Sequence, residues 1–363
     1  MTTVSSTNRR RLLALAAVVL LLAAACGGKK KQAATTTTTT TSTTVATTTT
    51  APVPAFPLTG LPATDPTNLA RPALVVKIDN ADGSNAANQA RPQAGLNQAD
   101  VVYEEMVEGS VTRLAAVFQS TDADPVGPVR SARSTDVAVF SPLNRPLFAW
   151  SGANAVFTDL IHNSPLIDVG YDAHSEVYER RNDNGHVAPH NLYSSTAGLY
   201  SLTPAGAAPP SPLFPYRAAG DALAPSATPI GSVHLVFGGG AGSAPIDYTW
   251  DAGAAGFARD QKGSPHVDES GAQITPQNVI VQFVSYHDTG LVDVSGAPVP
   301  EADLVGTGTC WILTNGMMVD GNWAKSAPDA APVYTDKAGT PVKLTPGRTW
   351  VELVPIGGGT ITG

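Results

Sequence analysis

The chain has 363 residues, 14% of them charged, with 22 Lys and Arg against 30 Asp and Glu and a net charge of −8. Soluble domains ordinarily carry about 25% charged residues, so charge is scarce here, and its acidic excess argues against a partner in nucleic acid or a basic grip on anionic lipid. Abundant Gly (34) and Pro (30) point to turns and short elements rather than long helices, and two cysteines, Cys26 and Cys310, leave no zinc-type Cys cluster.

Residues 1–25 read as an export signal. Arg9–Arg11 form a positive n-region, and Leu12–Leu22 form an apolar stretch, too short for a permanent span, which needs about 20 residues. Ala23-Ala24-Ala25-Cys26 resembles a bacterial lipobox with Cys26 as the lipidated residue; Ala23 stands where such boxes usually have Leu. An ordinary signal cut after Ala25 is the alternative. Asn8-Arg9-Arg10-Arg11 also resembles a twin-arginine signal, so the export route stays open. Without the three leader arginines, 19 basic residues face 30 acidic ones, a net −11.

Residues 26–55 include a threonine-rich tract from Ala33 to Thr50. A stretch with almost no large apolar side chains cannot offset its ordering entropy, so it reads as a disordered tether. Folding is expected from residue 56, with an N-terminal domain over 56–205, a Pro-rich connection over 206–230 and a β-rich C-terminal domain over 231–357.

In chain order, Ala73–Ile78 is a strand candidate ended by Asp79-Asn80, and Val101–Val107 is the next. Gly109-Ser110 makes a turn, and Val111–Phe118 returns against that strand as a hairpin. Ser131–Phe140 and Val156–Ile161 fit short helices. Beyond the Pro-rich segment, Val233–Phe237, Asp247–Trp250, Val279–Val284, Thr309–Leu313 and Trp350–Val354 read as strands. The one cysteine besides Cys26, Cys310, lies in an apolar strand and is expected to be a buried, inert thiol.

The densest chemistry is Gly127-Pro128-Val129-Arg130-Ser131-Ala132-Arg133. Were Ser131 onward helical, Arg130 and Arg133 would share a face. With Arg113 or Arg91 they would make a clamp for phosphate or carboxylate; alternatively Arg130 pairs with Glu104, Glu105 or Glu108 and holds the hairpin. Asp79 is either a strand-end functional carboxylate or the Asx residue of a turn. Glu104 and Glu105 must point to opposite faces, leaving one of them, or Glu108, as a general base or metal ligand. His186 and His190 are four apart, but Pro189 rules out a helical zinc pair. His266 and Asp268 alternate on one face, as a ligand pair, as an oriented base or, more plainly, as a surface pair. No cofactor or metal site is expected.

Several segments together resemble one family: Pro57-Leu58-Thr59-Gly60, Arg71-Pro72 before a strand ending Asp79-Asn80, Ala90–Leu96, Ala99–Glu104, Glu108–Arg113, Gly127–Arg133, Ala188-Pro189-His190-Asn191-Leu192-Tyr193, Pro265–Asp268 and Gly321-Asn322-Trp323. These are similar to the YerB-like bacterial lipoproteins, with Ser110 where that family often has a second glycine. The resemblance implies two domains, an α/β (α+β) fold with a mixed β-sheet sandwich, few helices in the N-terminal domain and a β-rich C-terminal one, and no assigned activity. The resulting expectation is a lipoprotein on the outer face of the cytoplasmic membrane, binding a wall glycan, an anionic polymer or an envelope protein. Its ligand-binding candidates are Asp79, Arg91, Glu104, Glu108, Arg113, Arg130, Arg133, His190, His266 and Asp268. The alternative is an enzyme on phosphate-bearing envelope precursors, from a looser likeness to LytR-CpsA-Psr phosphotransferases: strand Thr112–Phe118 followed by Arg130, Arg133 and Asp136.

Overall fold

A computed structural model describes residues 53–363 except 64, 84, 86, 87, 241, 242, 294 and 295. The leader, Cys26 and the threonine tract lie outside the described residues.

Three strands form the heart of the N-terminal half: β1 (Leu74–Asp79), β2 (Val101–Met106) and β3 (Thr112–Phe118). The expected hairpin forms, with β2 antiparallel to β3, and β3 is also antiparallel to β1. Arg113 thereby lies in register between Asp79 on one side and Glu105 on the other. Strand β4 (Leu147–Ala149) runs parallel to β1, and β5 (Ile167–Asp168) parallel to β4.

The same sheet continues into the C-terminal half. Strand Thr349–Pro355 runs parallel to β2 on one edge and to strand Asn278–Val284 on the other. Strands Gly306–Thr314, Met317–Lys325 and Val333–Asp336 follow as antiparallel neighbours. The Pro-rich segment near residue 220 therefore separates two stretches of sequence that share one sheet. A second sheet of five strands, among them Ser232–Leu235, Ile246–Asp251 and Gly256–Gln261, covers one face of it.

Both faces of the central strands are buried, which explains their nearly continuous apolar runs. Val76, Ile78, Val102 and Leu114 pack toward Val233, Leu235, Tyr248 and Phe257 of the five-stranded sheet. Val75, Val101, Tyr103 and Val117 face the other way and share a core with Phe140, Phe148, Trp150 and Ile161. A fully buried Val, Leu or Phe contributes about 1.5–3 kcal/mol, so these two layers supply the main stabilisation.

Helices are few and short: α1 (Thr135–Phe140), α2 (Ala155–His162) and α3 (Thr196–Tyr200). The helix expected from Ser131 begins four residues late. Residues 129–132 are instead tied down as extended chain: Arg130 N–H donates to the Lys77 carbonyl (2.9 Å), Ser151 N–H to that of Arg130 (3.0 Å) and Ala132 N–H to that of Gly152 (3.2 Å). These backbone bonds to the end of β1 and to the segment after β4 replace the helical ones.

Candidate functional site

The sheet edge at the end of β1 carries the clustered charge. Asp79 is fully buried, and its Oδ2 takes a hydrogen bond from His190 Nδ1–H (2.6 Å) and contacts Arg130 Nε (3.0 Å). Its Oδ1 meets Arg113 Nη1 (3.2 Å) and accepts from Ala81 N–H (3.0 Å). Burial alone would raise the Asp79 pKa, but Arg113, His190 and Arg130 together hold it well below the usual carboxylate range. Asp79 is thus the Asx residue of a turn, accepting from the Ala81 N–H, and it is also the anionic centre of a charged cluster.

Arg133 lies alongside. Its Nη2 donates to Glu108 Oε2 (2.6 Å) and its Nη1 to the Ala132 carbonyl (2.7 Å). Arg130 thus pairs with Asp79 rather than with Glu104, Glu105 or Glu108, and it is Arg133 that takes Glu108. The two arginines do not share a helical face, because the segment is not helical. They nevertheless converge. Arg113, Arg130 and Arg133 all line one open cleft of about 570 Å³, with Glu108, Ser131 and Asp293. Its apolar walls include Val107, Val111, Ala153, Phe157, Val292 and Val299. Arg130 is the most accessible of the three, its side chain 24% exposed against 8% for Arg113 and 11% for Arg133.

Glu104 faces the other way, as strand alternation requires. Its Oε2 accepts from Arg259 Nη2 (2.6 Å), and both side chains are fully buried. Arg259 also donates to Gln261 Oε1 (2.9 Å) and to His266 Nδ1, and His266 Nε2–H donates to Gln93 Oε1 (2.8 Å). Gln93 closes the network, donating to the Asp79 carbonyl (3.0 Å) and to Asn80 Oδ1 (2.9 Å). Burial, then the charges of Arg259 and Arg91, keep His266 neutral, its pKa well below the ordinary value.

The surface pair expected of His266 and Asp268 is not formed. Both are buried, and Asp268 binds Asn97 Nδ2 (3.0 Å) and Ser270 N–H (2.9 Å) instead. Arg91 also stays out of the arginine cleft, pairing with Asp82 (2.8 Å). His186 turns to the Tyr193 hydroxyl (2.9 Å). Cys310 is buried, and burial pushes its thiol up to about 12. Among the described residues no three His, Cys, Asp or Glu side chains gather as a set that could hold a metal ion.

Sequence reading missed Arg259, Glu352 and Lys77, all fully buried. Lys77 had a visible signal: it is the one charged residue inside the apolar run Ala73–Ile78. Arg259 had none, because Gly256–Gln261 reads as an ordinary half-polar strand.

Comparison with known proteins matches this architecture. Residues 58–207 fit the N-terminal domain, and residues 235–351 the C-terminal domain, of the family described as protein of unknown function DUF3048. A Bacillus subtilis (strain 168) protein named "Putative lipoprotein YerB" is 27% identical over 308 residues, covering 82% of this chain and 86% of that protein. The crystal structure of YerB from Bacillus subtilis superposes with a TM-score of 0.70 at 24% identity, over 85% of this chain and all of that one. The fold is the α+β, strand-rich one that the motifs implied, and the chain belongs to the DUF3048 family, the YerB-like group whose motifs it carries.

Proposed function

We propose that this protein is a lipoprotein tethered through Cys26 to the outer face of the cytoplasmic membrane, and that its arginine cleft binds a phosphate- or carboxylate-bearing component of the envelope. The observation that carries this reading is the convergence of Arg113, Arg130 and Arg133 on one open cleft. Guanidinium groups suit bidentate contact with phosphate and carboxylate, and Asp79 beneath them fixes Arg113 and Arg130 before any ligand arrives. Pre-positioned donors spare the ligand the cost of ordering them. The relative's name supports the lipid anchor, and residues 26–55 supply the reach from the membrane.

A binding role fits the site better than phosphoryl transfer. The carboxylate that lines the cleft, Glu108, is taken up by Arg133, and Asp79 behind it by Arg113, Arg130, His190 and the Ala81 amide. A base must be free to accept a proton near neutral pH, and Asp79 is held far below that.

Isothermal titration with pyrophosphate and with N-acetylmuramic acid tests the reading. Saturable binding of at least one is expected, weakened about 10–100-fold in Arg130→Ala, since a hydrogen bond to a charged group is worth about 1.5–3 kcal/mol. Absence of binding to both, or equal affinity in the variant, overturns it.

A further inference from the structure

On the face of the sheet opposite Arg259, a second charged group is sealed from water. Lys77 is fully buried in β1, and its Nζ contacts Glu105 Oε1 of β2 and Asp136 Oδ1 (2.6 Å) of α1. On β3, the strand between β1 and β2, its register partner is Ala115, whose side chain is a single methyl group. Asp136 Oδ2 accepts the Arg133 N–H (2.6 Å). Val75, Val117, Tyr103 and Phe140 populate the same face. The cleft ligand reading makes no use of this group.

We propose that Lys77 and Asp136 condense in the folded protein to an intramolecular amide, an isopeptide bond between β1 and α1, with Glu105 as the proton carrier.

Three features of the site favour the step. First, an amine and a carboxyl group are held in contact on a rigid scaffold, and such alignment is equivalent to effective concentrations of about 10⁵–10⁸ M. Second, a lysine with two carboxylates in a dry core bears heavy desolvation costs. Burial, moderated by Lys77 and reinforced by Asp136, pushes Glu105 up to about 7, so it holds its proton in mildly acidic solution. Transfer of one proton along the Lys77–Asp136 hydrogen bond then yields a neutral amine facing a neutral acid. Third, the Arg133 amide is placed to stabilise negative charge developing on Oδ2.

The step balances without a co-reactant. The Nζ lone pair attacks Cγ of Asp136, and the C=O electron pair moves onto Oδ2. Glu105 takes one proton from Nζ through its unprotonated oxygen and gives its own to Oδ1, ending protonated as it began. The Cγ–Oδ1 bond breaks, Oδ1 leaves as water, and Nζ keeps one hydrogen as an amide. The product carries no charge, which removes the buried ion pair altogether.

Tryptic peptide mapping of the full-length purified chain by mass spectrometry tests this. The expected result is that trypsin fails to cut after Lys77, and that the peptide carrying Lys77 is joined to the one carrying Asp136 at a mass one water lower than their sum. Lys77→Met and Asp136→Ala should give no joined peptide. Glu105→Gln, isosteric and checked for folding by near-ultraviolet circular dichroism, should slow bond formation at least about a hundredfold, the usual contribution of a positioned proton carrier. Recovery of the two wild-type peptides separately and in full yield overturns the bond. Unslowed joining in Glu105→Gln overturns the role of Glu105.

Discussion

Glu104 and Glu352 stand directly opposite one another in the parallel register between β2 and strand Thr349–Pro355, yet Arg259 pairs with Glu104 alone. Glu352 accepts instead from the Tyr248 hydroxyl (2.5 Å). Burial, and then the charge of Glu104, pushes Glu352 well above the ordinary carboxyl range, which favours its protonated form. Glu352→Gln should therefore change stability by less than about 1 kcal/mol, while Glu104→Gln leaves Arg259 buried without its partner and should cost about 3–5 kcal/mol. Urea unfolding of both variants checks the contrast.

Two raised carboxyls, Glu105 and Glu352, set a slope with pH. Glu105, at about 7, and Glu352 keep their protons in the native state, whereas the unfolded chain releases them near the ordinary value of about 4.3. The unfolded state then binds fewer protons, so this contribution falls as pH rises from about 4.3 toward 7. For Glu105 it reaches its full loss near 7. Should Lys77 and Asp136 be joined, the slope from Glu105 persists, since its carboxyl stays buried. Unfolding midpoints in Glu105→Gln should show a smaller decline over that interval than wild type.

On the acid side the signs reverse. His266 is neutral in the fold, so below its unfolded value of about 6.5 the unfolded chain gains a proton that the native state refuses, and stability drops as pH falls. Asp79 adds to this lower down. Its depressed pKa contributes stability that is complete above its unfolded value of about 3.9 and is lost as pH falls below it. Nitrogen NMR should show His266 as a neutral ring with its proton on Nε2 and no titration between pH 5 and 8; an imidazolium signal at pH 6 would contradict the Arg259–His266–Gln93 arrangement.

Gly127 explains the glycine of the arginine segment. Its φ is +151°, and a Cβ there would stand 2.8 Å from Tyr193 Cδ1 and 2.9 Å from the Leu192 carbonyl oxygen. Gly127→Ala should destabilise by about 1–3 kcal/mol and displace the Arg130 segment, which hangs on the same backbone bonds to Leu192 and Lys77. A thermal midpoint equal to wild type would refute this.

Arg113 and Arg130 share Asp79 but should behave differently when removed. Arg130 is partly open to solvent, so Arg130→Ala should lower stability by only about 1–2 kcal/mol while weakening ligand binding. Arg113 is nearly enclosed, and Arg113→Ala should cost about 3–5 kcal/mol by leaving Asp79 short of a buried partner. Chemical denaturation of the two variants separates the roles.

Much of the fold was legible in the sequence because period-two alternation and β-branched runs mark strands whether or not their partners are known. The hairpin of Val101–Met106 with Thr112–Phe118 followed from two runs of β-formers about the Gly109-Ser110 turn, and the opposite facing of Glu104 and Glu105 from the alternation of side chains along a strand. The location of the arginine site was legible too, since charge is scarce and clusters there. Its pairings were not. Which carboxylate meets Arg130 depends on the register of β1 against β3 and on extended chain at 129–132, where helical spacing led the other way. His266 and Asp268 read as a surface pair because alternation tells which residues share a face, not whether another sheet covers it.

The placement of strand Thr349–Pro355 bears on when the protein can fold. It is flanked on both sides by parallel strands, one from each half of the chain, and it comes last in chain order within its sheet. A chain emerging N-terminus first, from a ribosome or a secretion pore, must keep β2 and strand Asn278–Val284 apart with bare edges until nearly everything has emerged. Bare edges invite pairing with other chains, and contacts this distant in sequence form slowly. Folding is thereby deferred to the end of synthesis or export, and a stop codon shortly before Thr349 would release two half-sheets in place of one shortened protein.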